Sequence, residues 1–427
     1  MPTTLRENRV NPMSRDLDRV RALAVDLHGR RVGVINRLAG DRQLFAFEQG
    51  YLDDPARPTL SLSFKGQAGA LVTTPRSYVA RVPPFFANLL PEGHLRTYLA
   101  AHAGVKPERE FFLLAALGAD LPGGLIVTPL DEHHQAAPTG GSASQARAKD
   151  GTVPPVLRFS LAGVQLKFSA ILEAAGGLTI PAGGLGGSWI VKLPSSQFSA
   201  VPENEFAMLA LARAIGIKVP ANRLVPVGEI KGLPQDASRL GGNALAVERF
   251  DRGPADQRIH MEDFAQVFGR FPEDKYDGHS YANIAAVLWA ETTSEDTYEF
   301  VRRLIFSVII GNADMHLKNW SLLYPDGRTP VLSPAYDFVS TVPYITGDKL
   351  ALGFGGSRSL DSITKNQVRR FADTAHLPVS PVWEIVPQTV ELTVEAWRRL
   401  NVRHSLPAEL RKQIDRQIET AARAIER

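Results

Sequence analysis

The sequence predicts an α+β protein in which strand-rich segments come first and helical segments come later. That order is typical of an α+β protein with successive lobes and not of alternating βαβ units. Residues 131–155 contain almost no large apolar side chain and are predicted to form a flexible linker or exposed loop. We therefore predict an N-terminal α+β unit at 16–130, a strand-rich lobe at 156–250 and a mostly helical lobe at 251–427.

The composition is that of an ordinary globular protein, with 44% hydrophobic residues, 22% charged residues and a net charge of +3. This charge is too small to indicate nucleic-acid binding by itself. The absence of cysteine excludes disulfides, thiolate metal sites and cysteine nucleophiles. No apolar run is long enough to span a membrane and no secretory signal is apparent, so we expect a cytoplasmic protein without a membrane span.

The N-terminal unit is predicted to contain strands, a tight turn and one helix. Apolar runs on both sides of His28-Gly29-Arg30 indicate a hairpin over residues 20–35. Helical spacing begins after the proline pair at 83 and 84 and ends at Gly104. Further strands are predicted at 60–64 and 123–130.

The two later lobes show a similar set of local signals. A helix is predicted to start at Pro202 and to end at Gly216. His133 and His134, which lie in the predicted linker, are expected to be solvated and not to bind a metal. Helices dominate after residue 260, and the last is a charged amphipathic helix at 407–427. The predicted strands are 156–161, 168–172, 188–193 and 244–250.

A polar segment, GNADMHLKN at residues 311–319, directly follows an apolar helix. The residues that repeat at helical spacing, and so predict the core face of that helix, are Val301, Leu304, Ile305, Val308 and Ile309. Gly311 is predicted to end the helix. The polar side chains would then lie on a loop held by a buried element, which is a common way to position reacting groups.

Asp314 and Asn319 are five positions apart, the separation of the base aspartate and the metal-binding asparagine in phosphoryl-transferring kinases. A carboxylate can accept the proton of an attacking hydroxyl, and an amide oxygen can bind Mg²⁺ without adding charge repulsion. The His-Arg pair of the usual kinase motif is absent, because Asn312 and Ala313 precede Asp314. Lys318 is predicted to neutralise the phosphate that is transferred.

A second aspartate follows the polar segment after a predicted hairpin. Asp337 lies eighteen residues beyond Asn319 in the sequence Asp-Phe-Val, which lacks the glycine of the kinase DFG motif. Its position nevertheless matches that of a second metal-binding carboxylate.

Lys192, in WIVKLP, resembles the strand lysine that contacts ATP phosphates in kinases. Strand alternation places it on the same face as Ile190. The helix that follows offers two partners for its ammonium, Glu205 and Glu203, and the sequence does not choose between them. The segment SLAGVQLK, residues 160–167, joins two predicted strands and is predicted to turn backbone N–H groups toward phosphates.

Together these segments resemble the HipA family of serine/threonine kinases, the toxin-type kinases of bacterial persistence modules. The matching segments run through most of the chain in the family's order, which is more specific than any single motif. They are FANLLPEG (86–93), SLAGVQLK (160–167), WIVKLP (189–194), PENEFAMLALARAIGI (202–217), LAVERFDR (245–252), GNADMHLKN (311–319) and YDF (336–338).

The resemblance implies a two-lobed protein-kinase-like fold with an extra N-terminal α+β subdomain and a mostly helical C-lobe. It implies ATP and Mg²⁺ as cofactors, with Asp314 as the catalytic base and Asn319 and Asp337 as metal ligands. Asp251 is implied as a neighbour of the nucleotide. The residues implied to contact ATP are Ala162, Gly163, Val164, Lys192, Glu248, Phe250, His316 and Lys318.

The resemblance also implies regulation and partners. Ser160 is the serine that the family autophosphorylates, and a phosphoserine carries about −1.5 to −2 charges that bound ATP phosphates would repel. The implied partner is a separate helix-turn-helix antitoxin that binds operator DNA, and a dimer would form through that antitoxin. The implied protein substrates are translation components such as aminoacyl-tRNA synthetases.

Three other functions are compatible with parts of the pattern. A small-molecule kinase would share Asp314, Asn319 and Asp337 but would need a pocket for a small acceptor. A degenerate kinase fold could act as a DNA-bound co-repressor without binding ATP. A metal-dependent hydrolase could use Asp314 and His316, although Lys318 and Asn319 are poor companions for a two-metal carboxylate cluster.

Overall fold

The structure is a computed structural model that describes residues 17, 19–66, 69–74, 76–130, 167–173, 177–180, 187–195, 197–254, 257–360 and 363–425. The predicted linker at 131–155 and the predicted strand at 156–161 lie outside the described residues. So do Ser160, Ala162, Gly163 and Val164 of the predicted phosphate loop.

The N-terminal unit is built on a five-stranded antiparallel sheet with the order β4-β3-β2-β1-β5. The predicted hairpin is present, and His28 and Gly29 form its turn with φ of 52° and 75°. Both values suit the two-residue turn that matches the twist of a hairpin. The strands are β1 (Ala22–Leu27), β2 (Arg30–Leu38), β3 (Arg42–Phe47), β4 (Ser77–Val79) and β5 (Leu125–Leu130).

The strand predicted at 60–64 is wrong. Leu62–Phe64 forms a 3-10 turn, and the side chain of Ser61 accepts a hydrogen bond from the backbone N–H of Ser63. Alternation of apolar and polar residues suggested a strand, but tertiary contacts override it. The hydroxyl of Ser61 donates to the buried carboxylate of Glu262 at 2.5 Å, which ties this turn to the helical lobe.

Four helices of the N-terminal unit are described: α1 (Gln49–Leu52), α2 (Pro84–Ala87), α3 (Gly93–Ala103) and α4 (Glu110–Leu117). The single helix predicted after the prolines is therefore two helices, with a turn at residues 88–92 between them. Gly104, with φ of 67°, ends α3 as predicted. The turn brings Asn88 and Glu92 against the helical lobe.

A second five-stranded antiparallel sheet has the order β7-β6-β8-β10-β9. Val191 and Leu193 on one face join an apolar core shared with the N-terminal unit. Ile190 and Lys192 point to the opposite face, as predicted. The strands are β6 (Lys167–Leu172), β7 (Leu178–Thr179), β8 (Trp189–Lys192), β9 (Asn222–Pro226) and β10 (Asn243–Glu248).

Two helices belong to this sheet, α5 (Val201–Ala214) and the short α6 (Gln235–Ser238). Pro202 lies in the first turn of α5 and Gly216 follows its end with φ of 86°, so both predicted boundary signals are present. α5 packs on β10 and on the helical lobe. The sheet is thus covered on both faces.

The helical lobe contains a small sheet of β11 (His260–Asp263), β12 (Ser321–Tyr324) and β13 (Val331–Leu332). Its helices are α7 (Phe264–Val267), α8 (Tyr281–Glu291), α9 (Ser294–Ile309), α10 (Lys365–Ala375), α11 (Val379–Arg399) and α12 (Ala408–Ile425). All five residues of the predicted apolar face of α9 are buried. α9 packs against α8, α11 and α12, so it forms the centre of the lobe. No helix in the part of the chain that the structure describes is long and apolar enough to cross a membrane.

A buried charge network joins the N-terminal unit to the segment after β10. Asp251 accepts hydrogen bonds from Arg249 at 2.7 Å, from Arg252 at 2.8 Å and from the backbone N–H of Gly123 at 2.8 Å. Arg252 also pairs with Asp120 at 3.0 Å. Burial alone would raise the pKa of Asp251, but Arg249 and Arg252 lower it to about 2. Asp251 is therefore a structural residue whose carboxylate is fully used.

We predict that Asp251→Ala lowers the free energy of unfolding by about 3–5 kcal/mol, because it leaves buried guanidinium groups without their counter-charge. The urea dependence of the circular dichroism signal measures this loss. Glu395→Ala is the control, since the pair of Glu395 with Arg399 is exposed to solvent and should contribute far less. Equal losses in the two variants would contradict the prediction.

Candidate active site

A cleft of about 830 Å³ lies between the second sheet, α5 and the loop that follows α9. This volume is within the range of about 300–1,000 Å³ that small-molecule sites occupy. The apolar side chains of Phe198 and Ile345 are part of its lining. The charged and polar residues that line it include Lys167, Lys192, Glu205, Lys275, Asp314, His316, Asn319, Asp337, Lys349 and Arg358.

The segment GNADMHLKN forms a tightly braced loop. Gly311 has φ of 68°, and a Cβ atom there would lie 2.6 Å from Cγ2 of Val342, so only glycine fits. The side chain of Asn312 is buried; it accepts a hydrogen bond from the backbone N–H of Asp314 at 3.2 Å. It also donates to the backbone carbonyl of Asp337 at 3.3 Å. Asn312 therefore ties together the two segments that carry the predicted catalytic and metal-binding aspartates.

Asp314 lies at the surface of the cleft and accepts a hydrogen bond from the hydroxyl of Tyr276 at 2.7 Å. Loss of hydration raises the pKa of the Asp314 carboxyl, while the hydrogen bond from the Tyr276 hydroxyl and the charge of Lys275 oppose that rise. The amide nitrogen of Asn319 donates to the backbone carbonyl of Asp314 at 2.7 Å. That bond uses the nitrogen of the Asn319 amide and leaves its oxygen as a potential ligand.

Lys192 forms ion pairs with both Glu205 and Asp337. The choice left open by the sequence falls on Glu205, because Glu203 instead accepts a hydrogen bond from Asn243 at 3.0 Å. Burial alone would lower the pKa of Lys192, but the charges of Asp337 and Glu205 raise it, so the ammonium stays protonated.

A second lysine completes this cluster. The ammonium of Lys167 lies 3.3 Å from Asp337. Burial alone would raise the pKa of Asp337, but Lys167 and Lys192 lower it below its usual range. Two ammonium groups therefore balance the carboxylates of Asp337 and Glu205.

Asp337 has a φ of 56°, a backbone conformation that costs energy for a residue with a side chain. Phe338 anchors this strained position, since its ring is buried and lies 5.0 Å from that of Phe306 in α9. The strained conformation directs the carboxylate of Asp337 toward the two lysines. Such outliers persist where the surrounding structure fixes them, and they are common at functional sites.

In the structure Lys318 bonds to protein groups. Its ammonium is buried and lies 2.9 Å from both the backbone carbonyl and the side-chain oxygen of Asn88. It is also 3.3 Å from Glu92 and 3.4 Å from Asp263. Lys318 thus contacts the N-terminal unit, and its predicted contact with a phosphate stays a prediction. Lys167, whose role the sequence did not reveal, adds a positive charge beside Lys192 and Asp337.

His316 lines the cleft with its ring packed edge-on against Tyr276, 5.1 Å between ring centres. Burial lowers the pKa of His316 to about 3, so the imidazole is neutral at physiological pH. Its Nδ1 atom is buried and has no hydrogen-bond partner among the described residues. His316 can therefore exchange a hydrogen bond with a ligand but cannot contribute a positive charge.

A smaller cavity next to Lys192 lies at the end of β10. Ile190, Val247, Glu248, Phe250 and Tyr336 are among the residues that line it. The rings of Phe250 and Tyr336 are 5.5 Å apart, and the side chain of Glu248 is exposed. This cavity of about 20 Å³ adjoins the charged cleft, with which it shares Lys192 and Asp337.

The oxygen ligands of the cleft suit Mg²⁺. Asp337 supplies a carboxylate and Asn319 an amide oxygen, and Mg²⁺ is usually held by one or two such groups together with substrate phosphates. No group of three or more His, Asp or Glu side chains that could hold a metal occurs among the described residues.

The sequence did not indicate three residues of the site. Lys167 was visible as the last residue of SLAGVQLK, but the segment showed no reason for a lysine there. Lys275 and Tyr276 follow a short 3-10 turn at Pro272–Asp274 and have no recognisable motif. Their proximity to Asp314 comes from the tertiary structure alone.

A lysine–glutamate pair between a sheet and its helix, facing a loop that carries an aspartate and an asparagine, defines a protein-kinase-like fold. Residues 23–128 match the HipA N-terminal domain, and residues 159–397 match the HipA-like C-terminal domain. The chain belongs to the HipA family.

Relatives with curated names agree with this assignment. The putative kinase Y4dM of Sinorhizobium fredii is 52% identical over 384 residues, which are 89% of this chain and 92% of that protein. The serine/threonine-protein kinase toxin HipA of Shewanella oneidensis is 27% identical over 382 residues, which are 81% of this chain and 82% of that protein.

The fold is also that of a solved family structure. The complex of HipA, HipB and operator DNA from Shewanella oneidensis contains a chain similar to this one, with a TM-score of 0.70 and 23% identity. The alignment covers 95% of this chain and 98% of that one. The two-lobed kinase-like fold with an added N-terminal subdomain is therefore shown.

We predict that Lys192→Met lowers the free energy of unfolding by about 3–5 kcal/mol at pH 8, because Glu205 and Asp337 lose a buried counter-charge. The loss should be smaller at pH 5. Without Lys192, burial raises the folded-state pKa of these carboxylates, so their protonation stabilises the folded state at low pH and that stabilisation disappears as pH rises. Urea unfolding at the two pH values provides the measurement.

The double variant Lys192→Met, Glu205→Gln is the control for this prediction. It removes the charge of Glu205, one of the two carboxylates that lose Lys192 as a counter-charge. We expect it to recover part of the stability that Lys192→Met loses at pH 8. If the loss is the same at pH 5 and pH 8, the buried charges are not its cause.

Proposed function

We propose that this protein is an ATP- and Mg²⁺-dependent serine/threonine kinase of the HipA toxin type. It transfers the γ-phosphate of ATP to a serine of a protein, and the expected substrates are components of translation such as an aminoacyl-tRNA synthetase. The observation that carries the proposal is the cleft in which the Lys192–Glu205 pair faces Asp314, Asn319 and Asp337. The names of the relatives support the reaction class.

The proposed division of labour follows from the chemistry of the side chains. Asp314 accepts the proton of the substrate hydroxyl, and its raised pKa brings it closer to the pKa expected of a general base. Lys192 and Lys167 offer positive charge to the phosphates. Asn319 and Asp337 hold Mg²⁺, which neutralises charge on the phosphates when it is bound.

The proposal includes regulation by modification and by a partner. Ser160 is proposed as an autophosphorylation site, on the basis of the family resemblance. A helix-turn-helix antitoxin is proposed to neutralise the kinase and to link it to operator DNA. Support for that partner comes from the HipB protein and operator DNA present in the solved complex of the Shewanella relative. Uninhibited phosphorylation would then arrest growth.

The decisive experiment is incubation with labelled ATP, Mg²⁺ and cell lysate, followed by identification of the labelled molecule and residue. Label on a serine of a translation protein and on Ser160 is the expected result. Label on small metabolites alone would favour a small-molecule kinase. No label, together with no thermal stabilisation by ATP–Mg²⁺, would favour a co-repressor, because a ligand at 100 times its Kd adds about 2.7 kcal/mol of stability.

We predict that Asp314→Asn lowers phosphoryl transfer by roughly 10²–10⁴-fold, because the amide cannot accept the proton. Thermal stabilisation by ATP–Mg²⁺ should persist, since the proposed phosphate and metal ligands are intact. Rates of label transfer and melting temperatures with ATP test both statements. Transfer at the wild-type rate would show that Asp314 is not the base.

We predict that Tyr276→Phe moves the acid limb of the kcat/KM profile to higher pH. The Tyr276 hydroxyl stabilises the ionised form of Asp314, so its removal raises the pKa of the base and the active carboxylate is lost earlier as pH falls. A shift of roughly one pH unit is expected from a hydrogen bond to a charged group. Tyr344→Phe is the matched control, because Tyr344 lines the same cleft but bonds to Asn204. A shift to lower pH would contradict this account.

A further inference from the structure

We propose that Asn88 and Glu92 of the N-terminal unit are positioning residues for the active-site loops. The inference rests on the proposed function for its catalytic meaning, but its structural basis is independent. Both residues lie in or beside the turn between α2 and α3, and both contact Lys318. The N-terminal unit would then complete the active site and not simply pack against it.

Glu92 bridges two lysines that flank catalytic positions. One carboxylate oxygen lies 2.8 Å from the ammonium of Lys275, and the other lies 3.3 Å from that of Lys318. Lys275 precedes Tyr276, which bonds to Asp314, and Lys318 precedes the proposed metal ligand Asn319. A single carboxylate thereby holds both segments that shape the proton-accepting and metal-binding side of the cleft.

The surroundings keep this bridge charged. Burial alone would raise the pKa of Glu92, but Lys318 and Lys275 lower it. The other groups facing Lys318 are Asp263 at 3.4 Å and the two oxygens of Asn88 at 2.9 Å. Lys318 is buried, so its ammonium depends on these groups for its hydrogen bonds and its counter-charge.

Asn88 is itself fixed, which makes it a suitable anchor. Its amide nitrogen donates to the backbone carbonyl of Pro84 at 2.9 Å and to that of Arg270 at 2.7 Å. Arg270 belongs to the helical lobe, so Asn88 is held from both sides of the boundary. The amide orientation that these two bonds set directs its oxygen at Lys318.

The two active-site segments are also bonded to each other. The backbone N–H of Leu317 donates to the carbonyl of Lys275 at 3.2 Å, and Asn319 donates to the carbonyl of Asp314 at 2.7 Å. A displacement of Lys318 or Lys275 is therefore transmitted to Asn319 and Asp314. Small misplacements of reacting groups are costly, since about 1 Å can lower a rate by roughly 10²-fold.

The test compares Glu92→Gln and Asn88→Leu with Glu291→Gln in the full-length protein. Glu291→Gln is the matched control, because it breaks the Lys65–Glu291 ion pair, which crosses the same boundary without touching the active-site loops. Hydrogen exchange of peptides covering residues 314–320 is the first readout. We expect exchange roughly tenfold faster in the two test variants and unchanged in the control.

The second readout is kinetic. Glu92→Gln and Asn88→Leu should lower kcat by about 10- to 100-fold with a KM for ATP within about twofold of wild type, while Glu291→Gln keeps both values. Glu92→Asp, which retains the charge, should restore part of kcat. If these residues act only through overall stability, kcat should fall in all three variants in proportion to the lost free energy of unfolding.

The outcomes separate the two proposals. If the wild type transfers no phosphate, the proposed function fails, while the exchange experiment still decides whether Asn88 and Glu92 position the loops. Exchange in residues 314–320 that is equal in Glu92→Gln and Glu291→Gln overturns the inference. So does a lowered kcat without faster exchange. If Glu92→Gln does not fold, Asn88→Leu and Glu92→Asp provide the same comparison.

Discussion

The cluster formed by Lys192, Glu205, Asp337 and Lys167 is the interaction on which the rest of the site depends. It joins β8, α5, β6 and the loop after β13, so four separate parts of the chain meet at one point. Buried charges of this kind are costly unless each has its partner. The fold must therefore bring these elements into register before the cleft exists, and the strained backbone at Asp337 is held by that requirement.

The N-terminal unit is bound to the kinase-like part through polar contacts as well as through an apolar core. Asp120 pairs with Arg252, the backbone N–H of Gly123 donates to Asp251, and Ser61 donates to Glu262. Asn88 and Glu92 meet Lys318. Of these contacts, those of Asn88 and Glu92 reach the loop that carries Asp314 and Asn319. The polar contacts of the N-terminal unit therefore extend to the active-site loop.

The lining of the cleft combines two kinds of side chain. Charged and polar groups suited to phosphates and metal occur together with the exposed apolar side chains of Phe198 and Ile345. His316 contributes no charge because burial keeps it neutral, and the ammonium of Lys318 bonds to Asn88. Lys167 and Lys192 are already paired with carboxylates, whereas Lys349, which also lines the cleft, is exposed. A bound Mg²⁺ would add positive charge beside the paired lysines.

The sequence by itself determined the elements whose signals are local. The apolar face of α9, the end of that helix at Gly311 and the hairpin at His28-Gly29 follow from periodicity and turn chemistry, and the ordered motifs identified the family. Only the tertiary structure decided the long-range pairings. It selected Glu205 over Glu203, assigned Lys318 to the N-terminal unit and brought Tyr276 to Asp314. The physical reason is that a side chain's partner depends on where distant segments meet, which spacing along one chain does not encode.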